Sequence, residues 1–435
     1  MEDDRRWRLL SLPVIGWIAY DFANTIFSFV VVTRYFNDWI IEERGQPDIY
    51  VGLMVAAVSL ALVVTLPVLG ALADRLGRHK PILIAFTLLS VLATGLLGVV
   101  DSILLALVIA GVATFAFNTA DAQYHPLLSV IAPEPRRGRV SGIGVAVGYV
   151  GSLIALFLIG AYVDDGEAQR SFMPAAALFL VFALPCFFLV REPPRAALHD
   201  GRGPAPRPLA QLVATARRAR GAPHGRLLLA RFFYVDAIAT VLAFLTVYAR
   251  RTGDFDGSSI DVLLAISAVT AIGGAIGGGL LAERIGPKRV ISGTLTLSIA
   301  TLIATAASGS GALLWVAGPI IGIVLGALSA VDRLFMLRLV PAERRGEDFG
   351  LYALVGKLSS GFGPLVLWGG TILVAHNIAG LSRFDASRVA VMVLAATAFA
   401  GLRILGPLPD RRLHDDAAAA AEPSPAPARA TLGEK

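Results

Sequence analysis

About twelve separate stretches of this chain are long and apolar enough to cross a lipid bilayer as helices. A hydrocarbon core about 30 Å thick takes about 20 apolar residues at a rise of about 1.5 Å each. The stretches fall at residues 13–40, 50–73, 81–100, 102–128, 140–163, 171–190, 227–250, 259–282, 290–307, 312–338, 348–376 and 386–408. Composition agrees: of 435 residues, 56% are hydrophobic and 16% charged, against about 25% charged in a soluble domain. A surface with so little charge does not cover a soluble core, so an ordinary cytosolic enzyme, a secreted disulfide scaffold and a disordered chain are excluded. The first apolar run is far longer than the core of a signal peptide and reads as a retained span. No lipidation motif is present at either end. The expectation is an all-α, multi-pass integral membrane protein.

Between the sixth and seventh stretches lies a basic, Pro-rich linker, 191–226, with Pro193, Pro194, Pro204, Pro206, Pro208 and Pro223. Its later part, 209–220, has the pattern of a short basic amphipathic helix on the membrane surface. The tail, 409–435, is rich in Ala and Pro and is expected to be disordered. An even number of spans puts both termini, the linker and the loops after the even spans on one side. That side holds Arg75, Arg78, Lys80, Arg136, Arg137, Arg139, Arg284, Lys288 and Arg289, whereas the other side has little beyond Arg44, Arg170, Arg250, Arg251 and Arg383. The bias makes the first side cytoplasmic, and a bacterial inner membrane is the expected location. The net charge of +6 is thus scattered over short loops, with no nucleic-acid-binding module. Cys186 is the sole cysteine, which rules out an internal disulfide or a cysteine metal site. No nucleophile–base pair, P-loop, dinucleotide fingerprint or metal-ligand pattern is present. Neither an enzyme nor a bound cofactor or metal is expected.

The chain repeats itself. After the second stretch it reads Gly70-Ala-Leu-Ala-Asp74-Arg75-Leu-Gly77-Arg78-His79-Lys80, and after the eighth Gly279-Leu-Leu-Ala-Glu283-Arg284-Ile-Gly286-Pro287-Lys288-Arg289. Pro133-Glu-Pro-Arg136-Arg137-Gly138 before the fifth returns as Pro341-Ala-Glu-Arg344-Arg345-Gly346 before the eleventh, at an offset that differs by a single residue. Tyr20-Asp21 in the first has a fainter echo in Tyr234-Val-Asp236 in the seventh. Two repeated six-helix bundles, 1–190 and 227–408, follow from this, an architecture suited to alternating access.

The loop at Gly70, Asp74, Arg75, Gly77 and Arg78, with its second copy at Glu283, Arg284 and Gly286, resembles the signature loop of the major facilitator superfamily. The resemblance implies a conformational latch there, in which the acid caps a helix and the arginines make interhelical contacts. More narrowly, Tyr20-Asp21-Phe22-Ala23-Asn24 is similar to the signature of the vacuole-effluxer branch, which includes autophagy-related amino-acid exporters. Segments 139–151 and 349–360 resemble that branch's fifth and eleventh helices. The resemblance implies a secondary transporter, monomeric, that moves a small polar solute such as an amino acid or related organic ion, with protons as a candidate coupling ion. A lipid- or drug-type exporter, a transporter-like receptor and a membrane enzyme are the alternatives. Departures fall at Asn118-Thr-Ala-Asp121 and Ala237, on helices that line the family's cavity, and bear on substrate identity.

Charges at membrane depth mark functional positions. Asp21, Asp121, Asp236, Asp332, Arg333 and Lys357 fall at a similar level on spans one, four, seven, ten and eleven. With Asn24, Arg34 and Asn118 they are the candidates for solute or proton binding. The competing reading is a salt-bridge gate in which Asp21 or Asp236 pairs with Arg333 or Lys357 when the cytoplasmic side is closed. Arg34 fits an i, i+4 pair with Asp38 at the outer rim, or a clamp on a substrate carboxylate. Arg231 is expected to snorkel. Gly144 with Gly148, Gly273 with Gly277 and Gly274 with Gly278 have the spacing of close helix packing, and spans five and eight are expected to form a seam there.

Overall fold

The computed structural model describes residues 11–193, 208–340 and 345–409. The expected disordered tail and the second-half repeat at 341–344 lie outside them, as does the side chain of Asp74. Among the described residues there is no strand. Twelve helices among the described residues have the length and hydropathy of spans: Leu12–Glu43, Asp48–Ala73, Lys80–Leu97, Ile103–Ile131, Arg139–Gly160, Ala168–Leu189, Pro223–Thr252, Gly257–Ile285, Pro287–Ser308, Gly311–Leu339, Glu347–Ile378 and Arg383–Leu405. They are numbered here one to twelve. The side carrying the start of span one is termed the near face, and the other the far face. Outward-pointing residues such as Leu104 and Phe188 are each 74% exposed, an apolar girdle that only lipid can cover.

The two copies of the repeated loop share a backbone solution. Gly77 and Gly286 both take positive φ, 63° and 94°, which ends one helix and lets the next begin within a few residues. The following lysines also act alike. Lys80 Nζ donates to the carbonyl of Val190 at the end of span six, 2.5 Å away, and Lys288 Nζ to those of Gly406 and Leu408 at the end of span twelve, both 2.7 Å. A cation there satisfies orphan carbonyls and meets the negative end of the helix dipole. Packing repeats as well: spans 3 and 4, 1 and 6, 3 and 6, and 1 and 5 pack together, as do 9 and 10, 7 and 12, 9 and 12, and 7 and 11. Contacts between the two sets run through spans 2 and 11, 5 and 8, and 1 and 7.

Two features depart from the sequence reading. Span one widens to i→i+5 turns over Ile26–Phe36 and Trp39–Glu43, and span eleven over Gly363–Gly370 and Leu373–Ile378. In span eleven Pro364 removes a donor at the start of the wide stretch. The linker helix, Pro208–Ala219, forms as the pattern predicts. It does not merely lie on the membrane surface, however. It packs on spans two, seven and eleven, with Thr215 and Ala219 buried, because its apolar face finds the mouth between the halves.

The glycine seam is a correction. Gly144 and Gly148 do pack closely, but on span one: a Cβ on Gly144 would meet Trp17 at 2.7 Å, and one on Gly148 would meet Thr25 at 3.0 Å. Gly273 and Gly277 face open space, and the close contacts belong to their neighbours Gly274 and Gly278, on span ten. Gly326 of span ten is the tightest along this contact between spans eight and ten, since a Cβ there would overlap the Ala271 carbonyl oxygen. Gly326→Ala is therefore expected to cost about 1–3 kcal/mol and lower the unfolding temperature in detergent, while Gly277→Ala leaves it unchanged. Equal losses from both would refute the assignment of the contact face.

Candidate functional site

The far face is shut by arginines that bridge the two sets of spans. Arg34 of span one is 3% exposed. Its Nη1 donates to Asp38, 3.0 Å away on the same helix, as the i, i+4 reading expected, and its Nε donates to Asp261 of span eight. Its guanidinium also lies 4.5 Å over the Tyr35 ring. Gly160 of span five makes room for this contact, since a Cβ there would strike the Asp261 carboxylate. Arg250 of span seven reaches back to Asp38 at 3.2 Å and to Asp165 in the 5–6 loop at 2.5 Å. Arg251 donates to Glu42 of span one and Asp48 of span two, each at 2.8 Å, and Trp368 Nε1 adds a third bond of 2.8 Å, to Asp48. The hydrogen bond from Arg250 is the foremost reason the Asp165 carboxyl is held below the usual carboxylate range. Sequence reasoning found only the Arg34–Asp38 part, because the other partners are far apart in the chain. Arg34 therefore lies in the closure, remote from the cavity described next.

That cavity opens on the near face. It measures about 1170 Å³ and is lined by both sets of spans. From spans one and four come Trp17, Asn118, Asp121 and His125, and from spans seven, ten and eleven Arg231, Asp332, Arg333 and Lys357. Asp121 Oδ1 accepts from Asn24 Nδ2 at 3.1 Å, and His125 Nε2 is 3.7 Å from the same oxygen. Lys357 Nζ donates to Asn118 Oδ1 across the divide between the halves. Lys357 and Arg333 line the cavity wall that faces Asp121 across the divide. Acid on one wall and cations on the other leave the cavity electrically polarised.

The remaining candidates have other roles. Asp332 is caged: Arg231 Nε donates to it at 2.6 Å, Tyr234 Oη at 2.5 Å and Tyr352 Oη at 2.8 Å. Contrary to the sequence reading, Arg231 does not snorkel to an interface. It stacks 3.9 Å from the Tyr352 ring centre and neutralises Asp332, because a buried carboxylate at that depth requires a cation. Neither Asp21 nor Asp236 is among the lining residues. Asp21 is turned toward Gly144 of span five, and Asp236 is wholly buried against span eleven. In this near-face-open state, no ion pair joins either acid to Arg333 or Lys357 among the described residues. Of the latch loop, Gly70 lines the cavity, Gly77 and Gly286 make the turns, and Arg75, Arg78, Glu283 and Arg284 are exposed. A residue the sequence did not flag, Glu192 after span six, caps span three by accepting from the backbone N–H groups of His79 and Lys80 at 2.8 Å. At the mouth, Leu212 and Thr215 of the linker helix join the cavity wall, and Arg218 pairs with Glu347.

Residues 14–364 match the model of the Major Facilitator Superfamily, and the chain belongs to that family of membrane transporters. It is 27% identical over 378 residues to YxiO, an MFS-type transporter of Bacillus subtilis, covering 81% of this chain and 86% of the relative. It is 25% identical to autophagy-related protein 22-1 of Neosartorya fischeri, over 58% of this chain and 46% of the longer relative. The fold is that of the nucleoside transporter NupG, whose point mutant superposes with a TM-score of 0.75 at 12% identity, covering 91% of this chain and 99% of that one.

The bridging arginines define a test of conformation. Asp261→Asn leaves Arg34 with Asp38 alone in a buried site, at a cost to the closed far face below the about 3–5 kcal/mol of a wholly unpaired buried charge. Spin labels on the far-side loops at 98–102 and 309–310 should then report a second, longer distance population. At low pH the Asp165–Arg250 contact should outlast ordinary aspartates. Its contribution is present at neutral pH and disappears only as pH falls through a value below the normal Asp range, about 3.9. A single unchanged distance population in Asp261→Asn would mean that apolar packing alone closes this face.

Proposed function

We propose that this protein is a secondary transporter that carries a small zwitterionic solute, of the amino-acid class, by alternating access. The observation behind this is the polarised cavity. Asp121, supported by Asn24, is suited to an ammonium group, while Lys357 and Arg333 on the opposite wall are suited to a carboxylate. A solute with both groups spans the divide and replaces the Lys357–Asn118 contact with contacts of its own. It thereby joins the two halves, which is how a ligand biases an equilibrium between near-open and far-open forms. The likeness to an autophagy-related protein and the YDFAN run of span one support the same class. The excess of Lys and Arg in the near-face loops supports a cytoplasmic near face, with the closed face outside the cell in a bacterial inner membrane. The repeated motifs and packing support residues 1–190 and 227–408 as the two moving bundles, with 191–226 as the linker between them.

Counterflow of a panel of labelled amino acids in proteoliposomes tests this. At least one α-amino acid should exchange, and its des-amino and decarboxylated analogues should not compete. Lys357→Gln and Asp121→Asn should each weaken apparent affinity at least about tenfold, or ~1.4 kcal/mol. Exchange of uncharged nucleosides with none for amino acids would overturn the reading, as would variants with unaltered affinity.

A further inference from the structure

Asp236 stands apart from the other candidate charges, because a backbone N–H is its hydrogen-bond partner and no ion pair reaches it among the described residues. It is fully buried in span seven. One carboxylate oxygen accepts from the backbone N–H of Gly363, 3.0 Å away. The other, Oδ2, has no hydrogen-bond partner, and neither has Thr240 Oγ1, one turn further on and 1% exposed. Both residues converge on Gly363: a Cβ there would overlap Thr240 Oγ1 and press on Asp236 Oδ1. Gly363 opens the wide-turned stretch of span eleven, so a break in regular helix faces a buried acid.

The charged groups on the surrounding elements are engaged elsewhere or exposed. On span seven itself, Arg231 and Tyr234 are turned to Asp332 of span ten, which Tyr352 of span eleven also joins. Lys357 of span eleven donates to Asn118. Arg34 of span one is held by Asp38 and Asp261, Arg218 of the linker helix by Glu347, and Glu42 by Arg251. On span twelve Arg388 is held by Asp385 and two backbone carbonyls, and Arg403 is exposed. An ionised carboxylate in such a place lacks both water and a counter-charge.

Space comes within one helical turn of the acid, beside Thr240, although Asp236 itself does not line it. Thr240 lines a second pocket of about 220 Å³, deeper than the open cavity. Asn118, Lys357 and Ser360 line both spaces, so the Lys357–Asn118 contact is the partition between them.

We propose that Asp236 is a proton-binding site, reached from the cavity past the Lys357–Asn118 partition and Thr240, and that it is occupied in this near-face-open state. This rests on the transport reading above and adds the coupling ion. The step is a single protonation: the carboxylate takes one proton and becomes a neutral acid, and no other bond changes. The acid's carbonyl oxygen keeps the Gly363 N–H, and its O–H turns to the free lone pairs of Thr240 Oγ1. A metal cation is disfavoured at the same place, because the Gly363 N–H points its positive end into the site and few oxygens are at hand.

Infrared difference spectroscopy on the purified full-length protein in lipid nanodiscs, titrated with acid and base and without solute, tests the proposal. Wild-type protein should show a protonated-carboxyl band at neutral pH. Asp236→Asn should lose it, Asp121→Asn should keep it, and Thr240→Val should shift its frequency. Where Asp236→Asn fails to accumulate, the wild-type band and the Thr240→Val shift decide the matter. The proposal is overturned if wild-type shows no such band at neutral pH, if the band survives Asp236→Asn or ignores Thr240→Val, or if sodium chloride removes it at constant pH. A missing band with successful amino-acid counterflow sinks the proton site and leaves the transport reading standing. A band without any amino-acid exchange does the reverse.

Discussion

Three arginines that cross between the halves, Arg34, Arg250 and Arg251, hold this structure in its present form. Each is shared between at least two carboxylates, so breaking one contact leaves the charge partly compensated. A fully intact buried pair is close to energetically neutral against an apolar contact of the same volume, whereas a buried arginine stripped of all its carboxylates is strongly unfavourable. Such a network contributes little net stability and a great deal of discreteness. It is either assembled, with five carboxylates around three guanidinium groups, or dispersed into water. That is the property required of the closed end of an alternating-access protein, where intermediate openings would leak.

The near face uses charge differently. Asp332, with Arg231, Tyr234 and Tyr352, is a completed set in which the carboxylate has three donors. It ties spans seven, ten and eleven within one half and does not span the divide. Asp121, Arg333 and Lys357 form an open set whose contacts across the cavity are sparse. The second arrangement is the easier one to exchange, because displacing Lys357 from a neutral amide costs less than displacing Arg231 from a carboxylate. A structural cage inside one half and an exchangeable contact across the divide are what the proposed alternating access requires.

The fold was legible because its determinants are local. Runs of about 20 apolar residues have only one way to satisfy their backbone in lipid, and that is helix. Gly77 and Gly286, and Lys80 and Lys288, repeat in sequence because they perform the same act at two helix junctions. The wide turns of spans one and eleven left no comparable mark, since an apolar run reads the same at i→i+4 and i→i+5. The linker helix was visible as an amphipathic pattern. A pattern identifies which face seeks burial and is silent about whether lipid or a cavity mouth provides it.

The candidate charges show where legibility stopped. Depth along a helix follows from residue count at about 1.5 Å each, and on that scale Asp21, Asp121, Asp236 and Asp332 come out level. Direction around the helix decides what each one meets, and a strongly apolar span offers few polar residues from which to judge it. Asp332 turns into a cage of three donors, Asp121 into the open cavity, Asp21 toward span five and Asp236 against a glycine backbone. The sequence does carry one clue to the last of these. Gly363 precedes Pro364, so that turn of span eleven lacks both a side chain and the next N–H, and a polar group from span seven can approach its backbone at hydrogen-bond distance. A buried acid opposite a Gly-Pro break in a neighbouring span is therefore a pattern that depth alone misses and that pairing of the two halves' helices makes readable.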